Sequence, residues 1–163
     1  MPVRAFVSLG SNIDAEAQLQ GAVAAMREEF GELELSPVYR SPAVGFDGDD
    51  FLNLIAGFVT DRSALDCAAV MQRLEMEAGR TGEQHGFTAR PLDLDMVLYG
   101  DLIDGSRELR VPRDDVEKYA FVLGPLADIA PDFAHPVTGQ TMAQMWAEFD
   151  RSTSPMTVVE LSL

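Results

Sequence analysis

The sequence predicts one α+β domain in which helices pack on a single antiparallel sheet. Runs of apolar residues, continuous or alternating, predict strands over 3–10, 32–40, 51–60 and 92–99. Pro37 interrupts the second of these, which we expect to be an edge or bulged strand. Apolar residues at helical spacing predict two helices, one before and one after the central pair of strands in the sequence. The resulting order, β-α-β-β-α-β, is typical of a ferredoxin-like sandwich.

Capping residues indicate where the two helices begin and end. A turn with Gly10, Ser11, Asn12 and Asp14 precedes a helix from about Ala15 to Phe30. For the second helix, Ser63 and Asp66 resemble a capping box, and Gly79 suits a C-cap. The inward-facing stripes are Leu19, Ala22, Val23 and Met26 in the first helix, and Cys67, Val70, Met71, Leu74 and Ala78 in the second.

The region after the last of these strands predicts a C-terminal helical extension of the same domain, which we take as residues 1–163. We expect a short strand at "RELRVP", a helix over 113–130 broken near Gly124 and Pro125, and a short helix at "TMAQMWAEF". The predicted core consists of Phe6, Val7, Leu9, Leu52, Leu54, Val70, Leu74, Leu92, Leu94, Leu98, Leu123 and Leu126.

Composition argues against several classes of function. The 27 acidic and 12 basic residues give a formal charge of −15, which repels nucleic acid and anionic lipid. A single cysteine, Cys67, and two histidines, His85 and His135, provide no disulfide framework and no zinc-ligand spacing. The stretch "MPVRAFVSLGSN" turns polar too soon for a signal peptide or membrane span. We therefore expect a cytoplasmic monomer that binds neither nucleic acid nor membrane.

Two carboxylates interrupt the most apolar predicted strand, at "PLDLDMVLY". Because side chains alternate along a strand, Asp93 and Asp95 project from one face about 7 Å apart, with Leu92, Leu94 and Met96 on the other. Carboxylates this close repel each other unless cations neutralise them. Mg²⁺ commonly uses one or two carboxylates together with substrate phosphates, so the spacing suggests a Mg²⁺-nucleotide site. A solvated polar face is the alternative.

Two arginines lie near these aspartates in the sequence. Arg90 precedes the pair, and Arg80 lies at the other end of the glycine-containing loop "RTGEQHGFTAR". Arginine forks bind phosphate oxygens while carboxylates bind metal, which is the combination that a phosphoryl-transfer site requires. A surface salt-bridge network remains the alternative.

Six ordered pieces of the sequence resemble one family, 6-hydroxymethyl-7,8-dihydropterin pyrophosphokinase of folate biosynthesis. The pieces are "VSLGSN" (7–12), "YRSPAVG" (39–45), "FLN" (51–53), "EMEAGR" (75–80), "RPLDLDMVLYG" (90–100) and "AFVLGPLADIAP" (120–131). The resemblance implies a ferredoxin-like fold and transfer of the terminal pyrophosphate of ATP to the pterin hydroxymethyl oxygen, releasing AMP. That oxygen would attack the β-phosphorus.

The resemblance also implies roles for individual residues. Asp93 and Asp95 would bind two Mg²⁺ ions and, with Arg80 and Arg90, form the catalytic set. The reduced pterin would be bound by Ser41, Pro42, Ala43, Val44, Phe51, Asn53 and Phe121. ATP would be contacted by Gln72, Glu75, Arg80, Arg90, Met96, Arg110 and Arg113.

The chain departs from the family pattern near the expected phosphates. Arg113 stands where the family usually has His, Tyr119 where it has a basic residue, and Gly82 and Phe87 where it has a second Arg and a Trp. These changes predict an enzyme weaker or slower than a typical member. They also leave open a divergent paralogue that binds pterin or nucleotide with little activity. A ferredoxin-like RNA-binding module is disfavoured by the net charge of −15.

Overall fold

A computed structural model describes residues 2–42, 49–79, 91–152 and 155–163. Six strands and five helices occur in these ranges. The strands are β1 (Val3–Ser11), β2 (Glu34–Leu35), β3 (Val38–Ser41), β4 (Phe51–Thr60), β5 (Asp93–Tyr99) and β6 (Thr157–Val159). The helices are α1 (Ala15–Phe30), α2 (Ala64–Gly79), α3 (Asp115–Lys118), α4 (Ala120–Ile129) and α5 (Met142–Glu148).

The sheet is antiparallel and has the order β5-β1-β4-β3-β6, with β2 paired to β4 beside β3. Each face carries its own core. On one face α1 and α2 bury residues such as Val23 and Leu74 against Val7 and Leu9. On the other face Phe6 and Ile55 pack with α3, α4 and α5. The predicted antiparallel α+β fold is confirmed, and a third layer of helices covers part of the second face.

A bulge in β5 explains why two consecutive residues of this strand face the same core. Phe6 pairs with Leu98 and Val7 with Met96, so Val97 is an extra residue on the β5 side. Val97 and Leu98 both pack in the core beneath α4, whereas Met96 packs on the α1 and α2 side. Upstream of the bulge, alternation places Asp93 and Asp95 on the α4 side of the sheet.

Several predictions about individual elements are confirmed. Helix α1 has the predicted bounds, but Gly10 and Ser11 belong to β1 rather than to the turn, and Asp14 makes no side-chain capping hydrogen bond. The twelve predicted core residues are all buried. The Ser63 hydroxyl accepts a hydrogen bond from the Asp66 backbone N–H at 3.1 Å, as the capping-box spacing indicated. Gly79 is the last residue of α2 rather than a cap beyond it.

The strand predicted over 32–40 is interrupted at Pro37, as expected, and the interruption divides it into β2 and β3. Proline has no N–H to donate to a strand ladder. Ser36 compensates: its hydroxyl accepts from Ile55 N at 2.8 Å, and its backbone N–H donates to Ile55 O at 2.9 Å. The chain therefore stays attached to β4 across the break.

Two predictions for the C-terminal region are wrong. "RELRVP" forms only an isolated bridge between Asp104 and Val111, since Arg110 has a left-handed φ of 53° that interrupts an extended run. The helix over 113–130 breaks at Tyr119, which is extended, and continues through Gly124 and Pro125. A Cβ at Gly124 would lie 2.7 Å from the end of the Met156 side chain and 3.0 Å from the Trp146 ring, so glycine allows close packing at this point of α4. The short strand β6 was not predicted.

The loop between α4 and α5 is organised around the buried His135. Its Nδ1 accepts from the backbone N–H groups of Val137 and Thr138 at 3.2 and 3.3 Å. Burial lowers the pKa of His135, and the carboxylate of Glu117 opposes that shift. The neutral ring is therefore the form that the folded loop accommodates. Among the described residues, none of the helices is long and apolar enough to cross a membrane.

We predict that His135 makes the stability of the protein sensitive to acid. Because its folded-state pKa is depressed, the stabilisation is complete above the ordinary histidine pKa of about 6.5 and is lost as pH falls through the folded-state pKa. His135→Asn keeps an acceptor for the two N–H groups but does not titrate. Urea unfolding between pH 8 and pH 5 should show a shallower pH dependence for the variant. Identical slopes for the two proteins would contradict the assignment.

Candidate functional site

A cavity of about 250 Å³ opens on the α4 side of the sheet. Strands β1, β3, β4 and β5 form its floor, and helices α3 and α4 with their connection form its wall. It is lined by Ser8, Gly10, Ser41, Pro42, Phe51, Asn53, Asp93, Asp95, Asp115, Tyr119 and Phe121. Residues predicted to bind a metal and residues predicted to bind a flat ring therefore meet in one cavity.

The register of the sheet brings the floor of the cavity together. Gly10 of β1 lies opposite Asp93 on one side and Asn53 on the other. Two residues earlier in β1, Ser8 lies opposite Asp95. Directly opposed residues point to the same face of a sheet, so the carboxylates and the amide share one surface.

The amide of Asn53 is buried and held in place. Its Nδ2 donates to the Ser41 hydroxyl at 2.8 Å, and both side chains are about 5% exposed or less. Its Oδ1 lies over Gly10, where a Cβ would come within 2.9 Å of that oxygen. The absence of a side chain at Gly10 therefore gives the amide its space.

Aromatic rings form the wall opposite this floor. Tyr119 and Phe121 stack with their centroids 4.9 Å apart and their planes inclined by 18°. The backbone of Tyr119 is extended immediately before α4, so the Tyr119 and Phe121 side chains fall on the same side of the chain. Phe51 lines the cavity from β4. Flat faces of this kind suit stacking on a planar heterocycle.

Three carboxylates line the same cavity. Asp93 and Asp95 come from β5, and Asp115 comes from the first turn of α3. Burial raises the pKa of Asp115, Arg113 lowers it, and the charge of Asp95 raises it further. In the described part of the chain, no three His, Cys, Asp or Glu side chains are grouped closely enough to hold a metal by themselves. The oxygen donors of Asp93 and Asp95 fit Mg²⁺ that takes its remaining ligands from phosphate and water.

Arg113 attaches to the strand that carries the aspartates. Its Nη2 lies 3.7 Å from Asp95 Oδ1, and its Nε donates to Met96 O at 3.5 Å. Its backbone N–H donates to Val97 O at 2.9 Å. The side chain is only 17% exposed, so this cation is held beside Asp95 rather than extended into solvent.

Glu75 of α2 makes a contact on the outer edge of the same strand. Its Oε2 accepts from the backbone N–H of Leu94, between the two aspartates, at 2.8 Å. Since β5 is an edge strand, this carboxylate takes the place of a neighbouring strand at that point. Glu75 thus fixes the part of β5 that presents the carboxylates.

The other residues predicted to contact ATP lie outside this cavity. Gln72 is exposed on α2, and Met96 is buried in the core on the opposite face of the sheet. Arg110 and Arg113 line a neighbouring cavity with His135. Their roles toward ATP, like that of Glu75, remain predictions. Ala43, Val44, Arg80 and Arg90, together with Gly82 and Phe87, lie outside the described residues.

Sequence reasoning missed four of the cavity residues as site residues: Ser8, Gly10, Asp115 and Tyr119. Ser8 and Gly10 were detectable, because they alternate with the buried Val7 and Leu9 and so occupy the opposite face of β1. Tyr119 was marked only as a departure from the family pattern near the expected phosphates, and no periodicity marked Asp115. Their positions depend on the break between α3 and α4, which the helical pattern did not predict.

A hydrogen bond between β3 and α4 joins the floor of the cavity to its wall. Tyr39 of β3 lies opposite Asn53, and its hydroxyl donates to the carboxylate of Asp128 on α4. Burial, followed by this hydrogen bond, raises the pKa of Tyr39, so the phenol keeps its proton at neutral pH. The strand with Ser41 is thereby fastened to the helix with Phe121.

These groups define a class of site. Paired carboxylates with a nearby cation suit a metal-dependent transferase acting on phosphates. The buried amide and the stacked rings suit a flat heterocycle as the second substrate.

Comparison with known proteins identifies the family. Residues 6–131 match the family model described as 7,8-dihydro-6-hydroxymethylpterin-pyrophosphokinase (HPPK). A Pseudomonas aeruginosa protein named 2-amino-4-hydroxy-6-hydroxymethyldihydropteridine pyrophosphokinase is 36% identical over 82% of this chain and 84% of its own length. A Synechocystis protein of the same name is 39% identical over 90% of this chain and 76% of its own length. The chain belongs to the HPPK family.

Solved structures agree on the fold. The Plasmodium falciparum HPPK-DHPS wild-type crystal structure superposes with a TM-score of 0.71 at 12% sequence identity. The alignment covers 91% of this chain and 45% of that one, so the present chain spans less than half of the fused protein. At this identity the likeness concerns the fold alone.

We predict that Glu75 stabilises β5 through its contact with Leu94. Glu75→Ala removes the acceptor for a backbone N–H and should lower the free energy of unfolding by about 1–3 kcal/mol. Glu75→Gln retains an acceptor and should lose less. Glu77→Ala, on the exposed side of the same helix, is the matched control and should change little. Equal losses for Glu75→Ala and Glu77→Ala in urea unfolding would contradict this role.

Proposed function

We propose that this protein uses the described cavity to transfer pyrophosphate from ATP to the hydroxymethyl group of 6-hydroxymethyl-7,8-dihydropterin, releasing AMP. Membership in the HPPK family and the pyrophosphokinase names of its relatives support this activity and a place in folate biosynthesis. The observation that carries the assignment to this cavity is the convergence of Asp93, Asp95, Asn53 and Phe121 in one cavity.

The carboxylates form the phosphate end of the proposed site. Asp93 and Asp95 would hold Mg²⁺, and we propose two ions, because two carboxylates on one face would each supply ligand oxygens and ATP would bring its own phosphate ligands. Bound Mg²⁺ would supply positive charge against the phosphate oxygens. Arg113 keeps Asp95 oriented along the strand and adds a fixed positive charge close to it.

The amide and the rings form the heterocycle end. Asn53 offers both a donor and an acceptor to the edge of a pterin, and Phe121 with Tyr119 offers a flat face. Ser41 is the last residue of β3, Pro42 follows it, and both line this end of the cavity. With the ring fixed in this way, its hydroxymethyl oxygen would attack the β-phosphorus, the hydroxyl proton would be lost, and AMP would leave.

The departures from the family pattern do not favour a different function. Tyr119 replaces a basic residue but adds a ring to the aromatic wall, and Arg113 replaces a histidine but brings a permanent charge. The relatives described above carry pyrophosphokinase names, so they give no support to a divergent binding paralogue. We further propose that the protein works as a cytoplasmic monomer.

We predict that Asp95→Asn removes most of the activity without unfolding the protein. Loss of one ligand charge should reduce Mg²⁺-dependent, pterin-dependent AMP release by about 100-fold or more. AMP would be measured from ATP and Mg²⁺ with and without 6-hydroxymethyl-7,8-dihydropterin. Thermal unfolding of the variant should stay close to that of the wild type, since Asp95 is 41% exposed.

Asp101→Asn is the matched control, because this exposed residue follows β5 in the turn and makes the same change of charge. It should retain wild-type AMP release. Near-normal turnover of Asp95→Asn would remove the metal-ligand assignment. Wild-type protein that releases no AMP with pterin present would remove the proposed function itself.

A further inference from the structure

One pair of side chains spans the gap between β3 and α4 beside the cavity. Tyr39 lies opposite Asn53 in the sheet, so its side chain points to the α4 side, and its hydroxyl donates to the Asp128 carboxylate. Neither Tyr39 nor Asp128 is among the described residues that line the cavity. The pair can therefore affect a ligand only through the positions of neighbouring residues.

Each partner of this pair has a cavity residue on its own element. On β3, Ser41 lies two residues after Tyr39 and on the same face of the strand, opposite Phe51. On α4, Phe121 lies seven residues before Asp128, which is two turns, or about 10 Å, along the same side of the helix. The hydrogen bond therefore joins sheet and helix next to the place where Phe51 and Phe121 line the cavity.

The direction of this hydrogen bond is fixed by the chemistry of its partners. Burial, followed by the Asp128 carboxylate, raises the pKa of Tyr39, so the phenol keeps its proton and donates. An ionised carboxylate can only accept. Exchange of donor and acceptor is therefore not available to this pair, and the bond requires the phenol oxygen and the carboxylate to stay close.

The core beneath α4 imposes a weaker restraint on the height of the helix over β3. Leu123 and Leu126 of α4 pack with Phe6 of β1 and Ile55 of β4. Apolar packing has no preferred direction, whereas a hydrogen bond restricts both the distance and the angle between its partners. The bond to Asp128 adds this directional restraint on the β3 side of the helix.

We infer that Tyr39 and Asp128 are positioning residues that hold Phe121 at the spacing from the sheet at which a flat ring fits the cavity. The inference rests on the proposed function and names residues outside the cavity that adjust its heterocycle end. Without the bond, α4 moves away from β3 and Phe121 loses contact with the ring. Asp93 and Asp95 lie on β5, which two strands separate from β3, so the phosphate end stays unchanged.

Steady-state kinetics with each substrate varied in turn tests this inference. Pterin-dependent AMP release would be measured for the wild type, Tyr39→Phe, Asp128→Ala and the double variant, each checked by thermal unfolding. Each single change should raise the KM for 6-hydroxymethyl-7,8-dihydropterin by about 5-fold and leave the KM for ATP within about 2-fold. The double variant should show no further rise, because either single change already removes the bond.

Two further variants separate positioning from general stability. Asp128→Asn keeps an acceptor for the phenol and should stay within about 2-fold of the wild-type KM for the pterin. Tyr99→Phe is the matched control, because its hydroxyl donates to Arg62 O at 2.6 Å and its ring packs on the α1 and α2 side of the sheet. It loses the same kind of hydrogen bond and should lower thermal stability without changing the KM for the pterin.

The outcomes distinguish this inference from the proposed function. If the wild type releases no AMP with pterin present, the proposed function fails and the inference falls with it. If the wild type is active but Tyr39→Phe changes the pterin KM no more than Tyr99→Phe does, the bond is only a stabilising contact and the inference alone is overturned. Additive effects of Tyr39→Phe and Asp128→Ala, or an equal rise in the KM for ATP, would overturn it as well.

Discussion

The position of β1 between β4 and β5 is the constraint on which the site depends. This strand pairs with β4 along its whole length and with β5 from Ala5 to Gly10, and Gly10 lies at the point where the two ladders bring Asp93 and Asn53 to its flanks. A slip of one residue in either ladder would turn the carboxylates or the amide toward the α1 and α2 core. The apolar alternation of Val7 and Leu9 with Ser8 and Gly10 resists that slip, because each face of the strand has a different environment.

The electrostatics of the cavity follow from this geometry. Three carboxylates, Asp93, Asp95 and Asp115, line one cavity in a chain whose formal charge is already −15. The folded protein tolerates them because they remain partly exposed and because Arg113 is held beside Asp95 by bonds to the β5 backbone. Glu75 is also acidic, but it lies at the outer edge of β5, where it accepts a hydrogen bond from the backbone of the strand. A negatively charged cavity of this kind attracts cations at long range and needs them before a polyphosphate can approach.

The sequence was most informative where a single local pattern decides the outcome. The bounds of α1, the burial of the twelve predicted core residues and the shared face of Asp93 and Asp95 all follow from periodicity. It was least informative where tertiary packing overrides local preference. Gly124 and Pro125 look like a helix break, but α5 and Met156 pack against Gly124 and the helix continues. Tyr119 and Asp115 reach the cavity only because the chain bends between α3 and α4, and no pattern in the sequence specifies that bend.

The bulge at Val97 has a consequence for how the length of β5 can vary. Because Phe6 pairs with Leu98 and Val7 with Met96, removing Val97 leaves every remaining residue of the strand on its present face. Removing a residue between Asp93 and Met96 would instead turn the aspartate before it to the opposite side of the sheet. A change of one residue in the length of this strand is therefore compatible with the site at the bulge, two residues after Asp95 in the sequence. Related chains of different length should differ there before they differ anywhere else in β5.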